Sequence, residues 1–182
     1  MRATTSEIEG CVLALAWADG PMTPYAIRTE FLNSPNPQWS GSAGTIYPLV
    51  RRLKKRGWIR SEVNRKGKRK GNLISLTAAG RGVLRRWLCV PLQDWVAGVP
   101  PDPLRTRVRF LGALRVKEQR AFVREAARRT DEQRQIVERD CSSKRTADAF
   151  TSLTARGALL SMEARCAFVD EVAKGLKNLP RR

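Results

Sequence analysis

Apolar residues recur at intervals of three and four along most of the chain, a pattern that predicts amphipathic helices. The first helix is predicted over residues 6–18, where Ser6 and Glu9 have the spacing of a capping box. The second is predicted over residues 23–32, with Pro24 at its first helical position, where a proline costs little. Each helix carries its large apolar residues on one side, so both are expected to pack against a common core.

The third helix is predicted over about residues 43–56 and ends before Gly57, a residue type that favours helix C-termini. Pro48 restricts where the regular helix can begin, because proline is tolerated in the first turn or at a kink. We therefore place the start near Gly44. The buried stripe of this helix is predicted to consist of Ile46, Val50 and Leu53.

The hydrophobic period changes after the third helix. Residues 58–63 and 72–76 read as two strands joined by a charged turn at 64–71. Thr77 is predicted to cap a fourth helix, which contains Val83, Leu84, Trp87 and Leu88. Three helices, a hairpin and a further helix follow the order of a winged helix-turn-helix domain, so the predicted fold class is mainly α with a two-stranded wing.

The remainder of the chain predicts a second, wholly helical domain. We assign residues 1–90 to the winged helix-turn-helix, 91–103 to a proline-rich linker and 104–182 to the helical domain. The last two helices are predicted over about residues 118–140 and 144–176. In the last one, apolar and small residues recur with the spacing of a coiled-coil-like seam, namely Phe150, Leu153, Gly157, Leu160, Ala164 and Phe168.

Charge favours a polyanionic partner. The 182 residues include 35 Lys and Arg against 17 Asp and Glu, a formal net charge of +18. Between residues 51 and 90 there are fourteen basic residues and a single acid, Glu62. A basic helix beside a basic hairpin matches the phosphates of a nucleic-acid duplex, and an acidic membrane surface is the second choice.

Composition also excludes several functions. The chain has no histidine, which removes the commonest general base and zinc ligand, and its four cysteines form no CxxC pair. We therefore expect no enzyme activity, no metal and no cofactor. No apolar run approaches the ~20 residues of a membrane span, and the first residues lack the pattern of a signal peptide. These observations predict a cytoplasmic protein with reduced thiols.

Candidate DNA contacts lie on the third helix and the hairpin. Hydroxyl groups and arginine can read base edges, small residues allow close backbone approach, and lysine and arginine bind phosphates. On the third helix and just before it, the candidates are Ser42, Gly44, Thr45, Tyr47, Arg51, Arg52 and Lys55. On the hairpin they are Arg65, Lys66, Lys68, Arg69 and Lys70. Two alternatives stay open: the basic run 51–56 as a solvated helix face, and Tyr25 and Tyr47 as core aromatics.

Several of these stretches together resemble the PadR family of bacterial transcriptional regulators. The resemblance is clear over about residues 8–115. It rests on the motifs Pro-Tyr-Ala-Ile at 24–27, Gly-Thr-Ile-Tyr-Pro-Leu-Val-Arg-Arg-Leu at 44–53, Gly-Trp-Ile at 57–59, Leu-Thr-Ala-Ala-Gly-Arg at 76–81 and Leu-Arg-Arg-Trp-Leu at 84–88. The helical remainder looks like the longer subgroup, which has a virulence-activator-like C-terminal domain. The chain departs from the family at Pro24, usually Gly, and at Leu73 and Ile74, usually aromatic.

The resemblance implies a homodimer whose third helices enter the major groove, whose wings touch the DNA backbone and whose C-terminal helices form the dimer interface. It adds Tyr25 to the expected DNA contacts and assigns the seam of the last helix to the dimer interface. Many family members sense a small molecule. Trp87 and Trp95 flank the linker and could line an aromatic effector pocket, although core packing is the alternative for both.

The sequence thus predicts a homodimeric, sequence-specific DNA-binding regulator, with repression as the expected mode and an inverted repeat as the expected target. The alternative is a sequence-independent DNA-coating protein or a protein-interaction adaptor on the same fold. The basic residues of the C-terminal half favour this alternative, and they include Arg105, Arg107, Arg109, Arg115, Lys117 and Arg120.

Overall fold

The computed structural model describes residues 5–33, 43–63, 71–145 and 147–177. The chain divides into two compact units, residues 1–98 and 99–182, and the division falls within the segment that we expected to be a linker. The fold is mainly helical with a two-stranded antiparallel sheet in the first unit, as the sequence predicts. None of the described helices is long and apolar enough to cross a membrane.

The first unit contains the predicted helices and hairpin in the predicted order. Its elements are α1 (Glu7–Ala18), α2 (Pro24–Asn33), α3 (Ala43–Lys55), β1 (Ile59–Val63), β2 (Asn72–Leu76), α4 (Ala78–Leu88) and the single turn α5 (Asp94–Ala97). The turn α5 was not predicted, because the prolines around it mark the segment as a connection. Pro48 lies inside α3. Because proline has no N–H group, the carbonyl of Gly44 receives no helical hydrogen bond from it, and Gly44 is exposed.

Local hydrogen bonds fix the ends of two helices. Ser6 and Glu9 form the predicted capping box: the Ser6 hydroxyl accepts from the Glu9 amide, and the Glu9 carboxylate accepts from the Ser6 amide. Thr77 caps α4 by accepting from the amide of Gly80 at 3.0 Å. Its hydroxyl also donates toward the carbonyls of Gly57 and Trp58, which ties the start of α4 to the start of the hairpin.

The core of the first unit is built around α1. Val12 and Leu13 are fully buried, and α2, α3, α4 and both strands contribute to the same cluster. The contributions of α3 include the predicted Ile46, Val50 and Leu53. Because a packed core does not deform continuously, these buried residues fix the position of α3 and therefore of its exposed side.

The hairpin is joined to this core through β2. Strands β1 and β2 pair in antiparallel register from Ile59 opposite Leu76 to Val63 opposite Asn72. Ile74 is buried and exchanges two backbone hydrogen bonds with Met22, in the segment between α1 and α2. Gly57 has φ 70°, a conformation that glycine adopts readily, and this allows the sharp turn from α3 into the hairpin.

The second unit is wholly helical over its described residues. Its elements are α6 (Pro103–Arg109), a 3-10 turn (Leu111–Ala113), α7 (Val116–Ser143) and α8 (Ala149–Lys177). Leu111, Val123, Ala126 and Val169 form its core. Both long helices begin at other residues than predicted. Glu118 lies in the first turn of α7 and accepts from the amide of Arg115, and Asp148 accepts from the amides at the start of α8.

Candidate nucleic-acid interface

Helix α3 has one buried side and one exposed side. Its apolar residues Ile46, Leu49, Val50 and Leu53 are buried in the core. Gly44, Pro48, Arg51 and Lys55 recur at intervals of three and four and are exposed, so they form a continuous strip along the opposite side of the helix. The core therefore holds α3 with a cationic strip directed to solvent, and we call these four residues the exposed strip of α3.

The predicted contacts on α3 all lie outside the core. Gly44, Arg51 and Lys55 belong to the exposed strip, and Thr45 and Tyr47 flank it near the helix start. Ser42 lies outside the described residues. Because Tyr47 is 38% exposed, it is not one of the core aromatics, which was the alternative interpretation. The structure thus brings together, on one accessible surface, the hydroxyl and guanidinium groups that can reach base edges.

Tyr25 lies in the first turn of α2 and is 64% exposed, so it is not a core residue either. The last paired residues of the wing before its turn are Val63 and Asn72. The basic residues predicted as wing contacts lie outside the described residues: Arg65, Lys66, Lys68, Arg69 and Lys70.

Arg52 has a carboxylate partner inside the protein. Its Nε lies 3.3 Å from Oε1 of Glu9, and Nη1 of Arg56 lies 3.0 Å from the same oxygen. The pattern along the chain identified Glu9 only as a capping residue. One signal could have revealed more: Glu9 precedes Val12, Leu13 and Ala16 by three, four and seven residues, which places it on the buried side of α1. A carboxylate on that side requires a cationic partner.

The two tryptophans proposed as an effector pocket have different surroundings. Trp87 is half-buried, packs on Gly10 of α1 and donates through Nε1 to Glu7 at 2.9 Å. Trp95 is 58% exposed. A cavity of about 580 Å³ lies in the second unit instead, where Leu104 and Phe122 are among its lining residues. The effector pocket at Trp87 and Trp95 stays a prediction.

The predicted dimer seam lies on the side of α8 that faces away from the core of its unit. Ala155, Leu159 and Val169 of α8 are buried. Phe150 and Leu153, by contrast, are 80% and 67% exposed. The remaining seam residues are exposed or half-buried: Gly157, Leu160, Ala164 and Phe168. Helix α8 thus has two apolar sides, of which one packs within its unit and the other is open in the single chain.

These features define a class of protein. Three helices, an antiparallel wing and a third helix with a cationic exposed strip constitute a winged helix-turn-helix domain. Residues 12–86 match the sequence model of the Transcriptional regulator PadR-like family, which confirms the resemblance noted above over those residues. The matched family is one of transcriptional regulators.

Solved structures with the same fold cover nearly the whole chain. Bacillus subtilis PadR in complex with operator DNA has a TM-score of 0.77 at 18% identity, covering 92% of this chain and 96% of that one. The same protein in complex with p-coumaric acid has a TM-score of 0.74 at 16% identity, covering 94% and 99%. The Vibrio cholerae virulence activator AphA has a TM-score of 0.70 at 19% identity, covering 92% and 97%. No curated protein matches the sequence.

Proposed function

We propose that the protein is a homodimeric, sequence-specific DNA-binding transcriptional regulator that acts as a repressor. The observation that carries the proposal is the exposed strip of α3, in which Arg51 and Lys55 are held at the surface by a helix whose other side is buried. An arginine at this place can bind guanine through two hydrogen bonds, and a lysine can bind phosphate. The similar Bacillus subtilis PadR was solved in complex with operator DNA, which supports DNA binding by this chain.

The proposed contacts divide into two roles. Thr45, Tyr47 and Arg51 read base edges in the major groove, and the backbone near Gly44 approaches a phosphate. Tyr25 and Lys55 bind phosphates, and the basic residues at 65–70 bind the flanking backbone. Since the proposed target is chromosomal DNA, the proposal also places the protein in the cytoplasm.

A dimer is supported by the open seam of α8. An exposed row with Phe150, Leu153 and Leu160 on a 29-residue helix is costly in water, and a second copy would cover it with an identical row. A two-fold axis between the copies would direct two α3 helices at successive turns of the duplex. We therefore propose an inverted repeat as the target, with half-sites about 10 base pairs apart.

The proposal also includes a small-molecule effector. The Bacillus subtilis PadR structure that contains p-coumaric acid is similar in fold, and fold similarity does not transfer a ligand. We propose that an effector exists and assign it no identity, and the pocket at Trp87 and Trp95 stays the prediction for its site.

The experiment that tests the proposed function is selection of bound sequences from a random duplex library at moderate salt, followed by footprinting on the selected site. The expected result is enrichment of an inverted repeat and protection of one discrete site. Uniform protection along the duplex would support the sequence-independent coating protein instead. Absence of any binding in dilute buffer would refute both interpretations, because both require phosphate contacts.

A further inference from the structure

Glu9 is a buried carboxylate with more than one structural task. Its side chain is 5% exposed. Oε2 accepts from the amide of Ser6 at 3.1 Å, which completes the cap of α1. Oε1 accepts from Nε of Arg52 at 3.3 Å and from Nη1 of Arg56 at 3.0 Å. The cap is local, whereas the two arginine contacts join α1 to α3 across more than forty residues of sequence.

Arg52 lies on one flank of α3, and Arg56 directly follows the end of the helix, where its amide donates to the carbonyl of Arg52 at 3.0 Å, so neither residue belongs to the exposed strip. Arg52 and Arg56 are four residues apart and therefore lie one above the other, beside the strip that contains Arg51 and Lys55. Arg56 is also held from another direction, because its guanidinium lies 5.0 Å from the ring centroid of Trp58, where the hairpin begins. Glu9 thus anchors both the flank of α3 and, through Arg56, the approach to the wing.

We propose that Glu9 is a specificity-determining positioning residue, which withholds Arg52 and Arg56 from phosphates and fixes α3 relative to the wing. This inference rests on the proposed function of α3. A free arginine beside the exposed strip would bind phosphates of any duplex equally, because phosphate contacts carry no sequence information. Glu9, Arg52 and Arg56 together carry a net charge of +1, whereas the two arginines alone would carry +2. The carboxylate thereby restricts sequence-independent affinity and leaves discrimination to the exposed strip.

The test is the substitution Glu9→Gln in the full chain. Glutamine has the same shape and can still accept the Ser6 hydrogen bond of a capping box, but it carries no charge. We expect severalfold tighter binding to a random duplex. The slope of log Kobs against log salt should become more negative by about 0.9 for each arginine released to a phosphate. Affinity for the selected site should rise less, so the ratio of specific to random affinity should fall.

Glu7→Gln is the matched control. It removes the same charge from the same helix, but Glu7 accepts from Trp87 and contacts neither arginine. We expect the salt slope of this variant to equal that of the wild type. Adding Arg52→Gln and Arg56→Gln to Glu9→Gln should return the slope to the wild-type value, which a purely structural role of Glu9 would not explain.

Two results would overturn the inference while leaving the proposed function intact: an unchanged slope in Glu9→Gln, or an equal loss of affinity for selected and random duplexes. If Glu9→Gln does not fold by circular dichroism, the triple substitution Glu9→Gln, Arg52→Gln and Arg56→Gln, which leaves no unpaired buried charge, decides. If Glu9 withholds both arginines from DNA in the wild type, this variant should have the wild-type slope of log Kobs against log salt. A slope flatter than that of the wild type by about 1.8 would refute the proposal. If the wild type itself binds no duplex, the proposed function fails first and this inference with it.

Discussion

The indole ring of Trp87 in α4 lies directly against the Cα of Gly10 in α1. A Cβ atom built at Gly10 would lie 2.3 Å from Cε2 of the ring and 2.5 Å from Cδ2, far inside normal contact distance. The ring is not free to move aside without loss, because its Nε1 donates to Glu7 at 2.9 Å. The absence of a side chain at position 10 therefore allows α4 to pack closely on α1.

Gly10→Ala is accordingly expected to destabilise the first unit. Forcing a methyl group into a packed contact costs about 1–3 kcal/mol, and the higher helix propensity of alanine returns less than about 1 kcal/mol. The measurement is the free energy of unfolding from urea titration. Gly82→Ala in α4 is the control: its nearest neighbour would be Arg86 at 3.6 Å, so we expect it to stabilise the helix slightly. Equal effects of the two substitutions would contradict the packing argument.

Local pattern was sufficient to predict helices α1 to α4, the hairpin and the buried stripe of α3. The stripe of Ile46, Val50 and Leu53 follows from helical spacing, and all three are buried. The Ser6 and Glu9 cap follows from a spacing of three residues, and both of its hydrogen bonds are present. Such features depend on neighbours in sequence, which is why the chain alone reveals them.

Features that depend on distant residues were not predictable in the same way. The pairing of Glu9 with Arg52 joins residues 43 positions apart, so no local spacing indicates it. On both apolar sides of α8 the residues recur at intervals of three and four, so spacing alone cannot decide which side packs on α7. The structure buries Ala155 and Leu159 and leaves Leu153 open. Packing against α7 therefore determines which of the two apolar sides of α8 is buried.

Arg51→Ala should relax base preference at one position of the selected site. Loss of a two-hydrogen-bond contact to guanine removes about 1–3 kcal/mol of discrimination. By contrast, Lys68→Ala combined with Arg69→Ala should weaken binding to all duplexes alike and flatten the salt slope by about 1.8. Affinities of each variant for the selected site, its single-base variants and a random duplex measure both effects. Equal losses on specific and random duplexes in both variants would show that the assigned roles are wrong.

Acid should destabilise α7. Hydrogen bonds from Arg128 and Arg129 lower the pKa of Glu125 to about 2, from an ordinary value of 4.5. Hydrogen bonds from Arg134 and Gln135 lower the pKa of Asp131 as well. A carboxylate whose pKa is lower in the folded state contributes stability above its unfolded pKa and loses it as pH falls through its folded pKa. The contribution of Glu125 should therefore disappear between about pH 4.5 and 2.

Thermal unfolding followed by circular dichroism between pH 6 and pH 2 measures this loss. Because these ion pairs are exposed, high salt should reduce the effect. Glu125→Gln should show a smaller fall in Tm over the same interval than the wild type. A fall of equal size in both proteins at low salt would mean that the Glu125 pairs do not contribute.

Leu153→Glu should separate the proposed dimer. Leu153 lies in the open seam of α8 and is 67% exposed in the single chain, so the substitution should leave the fold of one chain intact. In a dimer it would bury two unpaired carboxylates in an apolar seam, which is strongly unfavourable. We expect the dissociation constant to rise at least about 100-fold, equivalent to about 2.7 kcal/mol.

Ala158→Glu is the control for this prediction. It introduces the same charge at an exposed position on α8 away from the seam and should not change the dissociation constant. Sedimentation velocity over a range of concentrations, with circular dichroism to verify helix content, measures both variants. A dimer that persists in Leu153→Glu would place the self-association surface elsewhere, and a wild-type protein that stays monomeric at every concentration would refute the homodimer.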